Sequence, residues 1–201
     1  MSSDPVVVEA REGILEITLN RPDARNAVNA AMAAGVAAAL DRLDGEDGLR
    51  VGIITGAGSS FCAGMDLKAF VAGERPYAEG RGFAGIARRP PEKPLIAAIE
   101  GFAVAGGFEI ALACDLIVAA RGARLGIPEV KRGLVAAGGA LLRLPARIRR
   151  DPAKEACRGV LAAEVVKPQA RVLAEARGLT WVEIDLAELR GEREPALTLF
   201  G

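Results

Sequence analysis

The segment Ile99–Asp115, IEGFAVAGGFEIALACD, restricts what this chain can fold into more than any other stretch. The apolar run at residues 96–99 predicts a buried strand, and Gly106-Gly107 predicts a tight turn that lets the backbone reach a ligand closely. An apolar helix follows, with Glu109 in its first turn. The first amides of a helix lack partners inside it and lie at the positive end of its dipole, so they suit a developing oxyanion. The segment indicates an α/β fold with a candidate oxyanion site, although a structural glutamate at a helix start is the alternative.

The chain contains no histidine, which excludes Ser-His and Cys-His catalysis and ordinary histidine-based zinc sites. Its three cysteines are not spaced for a metal or redox motif, and their odd number argues against a disulfide framework. The 26 basic and 26 acidic residues cancel, so net charge indicates neither a nucleic acid nor an anionic membrane as partner. We therefore expect a cytoplasmic protein with no bound metal and no membrane-spanning segment, whose acid–base chemistry comes from other side chains, carboxylates among them.

Hydrophobic periodicity predicts the other elements of the first 147 residues. They are a hairpin over Val6–Val8 and Ile14–Leu19, a helix capped by Asn29 and running to about Leu43, a strand over Val51–Thr55, and a late helix opened by Gly138-Gly139 and ended by Pro145. A loop of small residues leads into a short helix with Asp66 near its start. The segment Glu74–Pro91, rich in Gly, Arg and Pro, predicts a mobile surface segment.

A second candidate carboxylate, Glu129, follows the central helix twenty residues after Glu109. Leu116–Ala119 predicts a strand and Arg124–Ile127 a short extended segment, after which Glu129 stands at a strand end. A helix rises only ~1.5 Å per residue against ~3.3 Å for a strand, so a residue twenty positions later can return beside the helix start. Glu109 and Glu129 are therefore candidates to share acid and base work on one water, with a solvated turn carboxylate as the alternative for Glu129.

Four motifs, in order, resemble the crotonase (enoyl-CoA hydratase/isomerase) family over about residues 6–147. They are Asn20-Arg21-Pro22 with Asn26-Ala27, the stretch FCAGMDL at 61–67, the stretch GFAVAGGFE at 101–109, and GIPE at 126–129. The resemblance implies a spiral of ββα units that binds acyl-CoA thioesters and usually assembles as trimers or dimers of trimers.

The resemblance also implies a role for individual residues. The amides of Ala63 and Gly106 would form the oxyanion hole for the thioester oxygen. The CoA groove would be lined by Ala24, Ala27, Ala63, Gly64, Met65 and Asp66. Glu109 and Glu129 fall at the two positions where hydratases keep their glutamates, so that one would activate water for addition to C3 and the other would deliver a proton to C2. This predicts an enoyl-CoA hydratase, a lyase with no cofactor beyond the coenzyme A of its substrate. Isomerisation or thioester hydrolysis is the alternative within the enzyme class.

After Arg147 the resemblance stops, and residues 148–201 predict a short α/β segment. A helix start at Asp151-Pro152, a strand over Gly159–Val165, a helix over Pro168–Arg177 and a strand over Thr180–Ile184 are expected. The stretches KPQAR, AEARG and LRG in this part resemble the end of NucS-type mismatch endonucleases, without the catalytic residues of that nuclease. The sequence therefore predicts a truncated crotonase-like core over 1–147 joined to a foreign segment over 148–201, with activity weakened by loss of the family's C-terminal cap.

The last residues add a possible partner. Leu197–Phe200, with the alanine before it, is similar to the short peptide by which bacterial replication proteins dock on the sliding clamp, and a disordered apolar tail is the alternative. A function from a different class follows: a catalytically silent fusion or remnant whose clamp-docking peptide is its only active element. The expected partners are thus an acyl-CoA substrate, further copies of the chain in a trimer or hexamer, and under the second hypothesis a sliding clamp.

Overall fold

The structure is a computed structural model that describes residues 4–132, 134–149, 160–163 and 180–183. It divides into two compact units, one of Met1–Pro128 with Ala136–Arg143 and one of Glu129–Val135 with Leu144–Gly201. Among the described residues, no helix has the length and apolar character needed to cross a bilayer.

The described residues of the first unit form nine strands. They are β1 Val6–Arg11, β2 Ile14–Leu19, β3 Val51–Gly56, β4 Tyr77–Ala78, β5 Gly82–Phe83, β6 Leu95–Ile99, β7 Phe102–Val104, β8 Leu116–Ala119 and β9 Arg124–Gly126. The helices are α1 Ala30–Gly45, α2 Leu67–Val71, α3 Gly106–Ala113 and α4 Ala140–Arg149, with a 3-10 turn at Pro22–Ala24.

A five-stranded sheet of order β1-β2-β3-β6-β8 forms the centre of this unit. The β1–β2 pair is antiparallel and confirms the predicted hairpin, while the other three junctions are parallel. Glu12 and Gly13 connect the hairpin with positive φ angles of 52° and 83°, the backbone of a two-residue turn that matches strand twist. In β2 the alternating residues Leu15, Ile17 and Leu19 are fully buried, as a strand with one core face requires.

The helix α1 confirms the prediction of a helix capped by Asn29. The side chain of Asn29 accepts a hydrogen bond from the amide of Met32 at 3.0 Å, which satisfies one of the unpaired donors of the first turn. The buried residues recur every three or four positions, so one stripe of the helix joins the core.

The strand β7 was not predicted from the sequence, which indicated only a strand at residues 96–99 and a turn at Gly106-Gly107. It pairs in parallel with β9 in a second, two-stranded sheet, with Val104 opposite Gly126. Three residues are too few to show a period, so only the pairing with a distant segment defines this strand. It matters because β7 ends directly before α3.

Two further predictions need correction. The segment 74–91 is not simply a surface segment, since it forms the β4–β5 hairpin and buries Phe83, Ala84 and Ile86. Its Arg81 is only 2% exposed and donates to the carboxylates of Asp41 and Asp44 on α1. An apparently polar stretch is thus anchored by an ion pair that composition does not reveal.

The helix α4 does not end at Pro145 as predicted, because it continues to Arg149. Pro145 removes the amide that would bond the carbonyl of Leu141, at a typical cost of ~3 kcal/mol or more, and the helix continues beyond it. The residue before a proline is only biased against helical geometry, so this boundary signal is a preference rather than a rule.

In the second unit the described residues include two strands, β10 Val160–Ala163 and β11 Thr180–Glu183. They pair in parallel, with Val160 opposite Thr180. Both predicted strands are therefore confirmed in position. The predicted helix start at Asp151-Pro152, the predicted helix over Pro168–Arg177 and the tail peptide lie outside the described residues.

Candidate active site

The structure confirms that Gly106 and Gly107 open α3, while the turn itself lies one residue earlier, at Ala105. Ala105 precedes the helix with φ 52° and ψ −131°, a conformation that an L-residue rarely adopts. The amides of Phe108 and Glu109 both donate to the carbonyl of Ala105, at 2.9 and 3.1 Å. The amides of Gly106 and Gly107 therefore have no hydrogen-bond acceptor within the helix. Such strain is common at functional sites, and an alanine in the sequence gave no sign of it.

Glycine at the helix start is required by close packing of a second backbone segment. A Cβ atom on Gly107 would collide with the carbonyl oxygen of Cys62, which no side-chain adjustment relieves. A Cβ atom on Gly64 would lie 3.0 Å from the amide nitrogen of Gly106. The loop 62–65 thus lies directly against the first turn of α3. The sequence predicted that these glycines let the backbone reach a ligand closely. In the structure they let the backbone of the loop 62–65 approach the backbone of α3.

The two candidate oxyanion donors of this loop differ in what they already bind. The amide of Ala63, predicted as a donor, gives its hydrogen bond to the carbonyl of Arg25 at 3.0 Å. Met65, two residues after Ala63, lies opposite Val28 in an isolated β-bridge. The amide of Val28 donates to the carbonyl of Gly64 at 2.7 Å, and the carbonyl of Val28 accepts from the amide of Asp66 at 2.9 Å. Alternate amides of an extended segment point in opposite directions, so the amide of Met65 faces away from Val28. Among the described residues it has no hydrogen-bond acceptor, and neither has the amide of Gly106.

Glu109 is a buried carboxylate with a defined environment. Its side chain is 4% exposed, and its Oε1 accepts a hydrogen bond from the amide of Ala140 at 3.1 Å. A Cβ atom on Gly138 would lie 2.5 Å from Oε2 of the same carboxylate. The start of α4 therefore supplies both a donor and the space that Glu109 occupies.

Glu129 belongs to the second unit, whereas Glu109 belongs to the first. Burial raises the pKa of Glu129 above its ordinary value, and a hydrogen bond from its own backbone amide offsets this only in part. Its Oε2 is buried and has no hydrogen-bond partner among the described residues. Each glutamate thus has the character of a functional group within its own unit. Their convergence on one water stays a prediction.

Asp66, predicted to line the CoA groove, is engaged in structural contacts. It caps α2 by accepting from the amide of Ala69 at 3.1 Å and pairs with the guanidinium of Arg21 at 2.9 Å. Burial alone would raise the pKa of Asp66, but the hydrogen bonds from Ala69 and Arg21 outweigh it and hold this pKa below its usual range. Arg21 also donates to the carbonyl of Ala27. The structure thus brings the first two motifs together, and the CoA contacts predicted for Ala24, Ala27 and the loop residues stay predictions.

Asn26 is a structural residue whose role the sequence analysis missed. It is fully buried, and its Nδ2 donates to the carbonyls of Ala57 and Ser60 at 2.9 and 2.8 Å. Its Oδ1 accepts from the amide of Arg21 at 2.9 Å. The available signal was the asparagine itself, since this residue type tolerates the left-handed region better than most, and Asn26 has a φ of 55°.

Cys62 lies beside this network but is not a candidate nucleophile. It is fully buried, and burial raises the pKa of its thiol to about 12 although the amide of Gly64 donates to the sulfur. The thiol itself donates to the carbonyl of Asn26 at 3.0 Å. Because the thiolate is the reactive form, this cysteine contributes packing and a hydrogen bond rather than covalent catalysis.

The α/β core contains a helix that begins with two glycines, lies against a loop of small residues and buries a carboxylate. This arrangement suits a protein that stabilises an oxyanion beside an acid–base group. A model of the enoyl-CoA hydratase/isomerase family matches residues 9–182, and the chain belongs to this family.

Relatives and solved structures agree with this assignment. The chain is 46% identical to the mevalonyl-coenzyme A hydratase SIDH of Beauveria bassiana, over 71% of this chain and 55% of the relative. It is 42% identical to the carnitinyl-CoA dehydratase of Proteus mirabilis, over 82% of this chain and 69% of the relative. The crystal structure of an enoyl-CoA hydratase from Mycobacterium tuberculosis H37Rv superposes with a TM-score of 0.72 and 55% identity, over 94% of this chain and 73% of that one. The predicted crotonase-like α/β fold is confirmed.

The extent of these matches bears on the C-terminal predictions. The family match runs to residue 182, beyond residue 147 where the four sequence motifs end. None of the matches described above supports the resemblance to NucS-type endonucleases, and the division of the chain at residue 147 stays a prediction. The chain spans about half the length of the first curated relatives, 55% and 54%.

Proposed function

We propose that this chain is an enoyl-CoA hydratase that adds water across the 2,3 double bond of an enoyl-CoA thioester. The observation that carries the proposal is the pair of amides of Met65 and Gly106, which lack acceptors among the described residues and belong to two backbone segments in direct contact. The names of the relatives, two hydratases and a dehydratase that act on CoA thioesters, support the reaction class.

The oxyanion hole consists of the amides of Gly106 and Met65 rather than Gly106 and Ala63. The Ala63 amide would have to give up its bond to Arg25, whereas the Met65 amide has no such bond to lose. Two amides directed at the thioester oxygen stabilise the enolate that forms when water adds at C3. One donor of this kind is typically worth ~3 kcal/mol, or a hundredfold or more in rate.

The two glutamates take different roles because their environments differ. The amide of Ala140 donates to Oε1 of Glu109 and orients this carboxylate, which suits a group that accepts a proton from water. Glu129 has a raised pKa, which favours the protonated form that delivers a proton to C2. Glu109 is accordingly the general base and Glu129 the general acid.

The decisive assay is the loss of conjugated-thioester absorbance when the purified protein is mixed with crotonyl-CoA. Glu109→Gln is expected to lower turnover by about 10²- to 10⁴-fold, because it removes a general base but keeps the shape of the side chain. Glu9→Gln, an exposed glutamate on β1, is the matched control and is expected to leave turnover unchanged. Absence of turnover by the wild-type chain at high enzyme concentration would contradict the proposal, and a substrate panel separates hydration from isomerisation and thioester hydrolysis.

A catalytically silent remnant is the second candidate, favoured by the similarity of Leu197–Phe200 to a clamp-docking peptide. Its partner is a sliding clamp bound through Leu197–Phe200. Binding of a peptide of this sequence to a sliding clamp, lost on Leu199→Ala and Phe200→Ala, would support this candidate. Failure of the unaltered peptide to bind would contradict it. A homotrimer or hexamer and a cytoplasmic location complete the first proposal. The buried Cys62 has a free thiol, which agrees with a reducing compartment.

A further inference from the structure

Arg143, in the first turns of α4, connects two main-chain carbonyls that are far apart in sequence. Its Nη1 donates to the carbonyl of Gly138 at 3.0 Å, and its Nη2 donates to the carbonyl of Ala87 at 2.6 Å. Ala87 lies in the segment 74–91, which the buried Arg81 holds to α1. The guanidinium therefore connects the turn before α4 to a part of the chain that is itself anchored.

The turn has the carboxylate of Glu109 on one side and this guanidinium on the other. A Cβ atom on Gly138 would lie 2.5 Å from Oε2 of Glu109. A Cβ atom on Gly139 would collide with Nη1 of Arg143, and Gly139 also has a φ of 107°, which strongly favours glycine. The glycine pair thus leaves room for an acidic and a basic side chain on a single turn.

The next amide of this turn is the one that bonds Glu109. Ala140 donates to Oε1 at 3.1 Å, so the place of its nitrogen determines where that oxygen rests. We propose that Arg143 is a positioning residue for Glu109: by holding the carbonyl of Gly138, it keeps the Ala140 amide on the carboxylate. This inference rests on the proposed function only where it concerns turnover, since it requires Glu109 to be the general base.

The consequence for catalysis follows from geometry. A planar guanidinium bonds two carbonyls at once, which a lysine ammonium at the end of a flexible chain does poorly. Without that brace the turn relaxes and Glu109 loses its fixed orientation, and misplacement of a catalytic group by about 1 Å can cost a hundredfold in rate. The loop of Met65 is on a different segment, so the affinity for the CoA thioester should change little.

Kinetics of three variants test the inference in the full chain. Arg143→Ala is expected to lower kcat about tenfold to a hundredfold with KM within about twofold, and Arg143→Lys is expected to lie between it and wild type. Guanidinium chloride, well below denaturing concentrations, should restore part of the kcat of Arg143→Ala. Arg42→Ala removes an exposed arginine paired with Glu46 and is the matched control with wild-type kinetics. An unchanged kcat in Arg143→Ala overturns the inference. It is also overturned if kcat falls in Arg143→Ala without rescue by guanidinium and falls equally in Arg42→Ala.

Amide hydrogen exchange gives a measurement that does not depend on turnover. In Arg143→Ala and Arg143→Lys, the exchange rate of the Ala140 amide should rise at least tenfold, while that of Ile110 inside α3 stays as in wild type and in Arg42→Ala. If the wild-type chain hydrates no enoyl-CoA, the proposed function fails and this exchange decides the inference alone. Equal exchange at Ala140 in wild type and in the folded Arg143→Lys variant overturns it.

Discussion

Asn26 ties together three loops that are separate in the sequence. Its amide group bonds the carbonyls of Ala57 and Ser60, and its oxygen takes the amide of Arg21. The thiol of Cys62 bonds its main-chain carbonyl, directly before the loop that presents Met65. A residue with no proposed chemistry of its own therefore fixes the backbone on which the proposed oxyanion site depends.

Asn26→Ala should destabilise the protein by about 3 kcal/mol, because it removes one buried and two part-buried hydrogen bonds. Asn29→Ala, which removes only the cap of α1, should cost about 1 kcal/mol. Urea unfolding followed by circular dichroism measures both. Equal losses in the two variants would show that the buried network contributes no more than an ordinary helix cap.

Because the pKa of Asp66 is lowered in the folded protein, we expect the stability of the protein to depend on pH. The folded state binds fewer protons than the unfolded state as the pH falls toward and below the unfolded pKa. The stabilisation is fully present above the unfolded pKa of Asp66 and is lost as the pH falls through the folded pKa. The difference in unfolding free energy between wild type and Asp66→Asn should be about 1 kcal/mol at neutral pH and shrink on acidification. A difference that stays constant down to strongly acidic pH would contradict this.

At the scale of elements, the contact between the loop 62–65 and the start of α3 is the feature on which the site depends. The strand β7 pairs with β9 and delivers the chain to Ala105, where a positive φ turns it into the helix. The loop is held on its other side by its bridge to Val28. Two segments, each fixed by a distant partner, therefore meet at glycine positions.

Gly107→Ala should disturb this contact directly. The added methyl group meets the backbone carbonyl of Cys62, so the loop or the helix must shift, at a cost of about 1 to 3 kcal/mol and with a loss of turnover of about a hundredfold. Gly48→Ala adds a methyl group that meets nothing within 4 Å and should change stability by no more than about 0.5 kcal/mol. Thermal unfolding and the crotonyl-CoA assay on both variants check this pair, and wild-type behaviour of Gly107→Ala would exclude a tight contact.

At the scale of the whole molecule, the chain spans 73% of an enoyl-CoA hydratase structure and about half of its first curated relatives. In the first unit, the edge strand β8 exposes Leu116 and Val118, with 60% and 62% of their surface accessible. Large apolar residues on a sheet edge favour association with another chain.

We therefore expect self-association. Light scattering coupled to size-exclusion chromatography should give a mass of three or six times 20.9 kDa. The control is Val118→Lys, which places a charge on the edge strand and should lower this mass if β8 contributes to association. A wild-type mass of one chain at micromolar concentration would contradict the proposed oligomer.

The sequence by itself determined the long or strongly patterned elements, because their signals are local. The hairpin, α1 with its cap at Asn29, the strands β3, β6 and β8, and Glu109 at the start of an apolar helix were all readable from residues a few positions apart. Only the tertiary structure decided that the amide of Ala63 is already bonded while that of Met65 is not, that β7 exists, and that Arg81 is buried. Each of these depends on a partner far along the chain, and hydrogen bonds of that kind leave no period in the sequence.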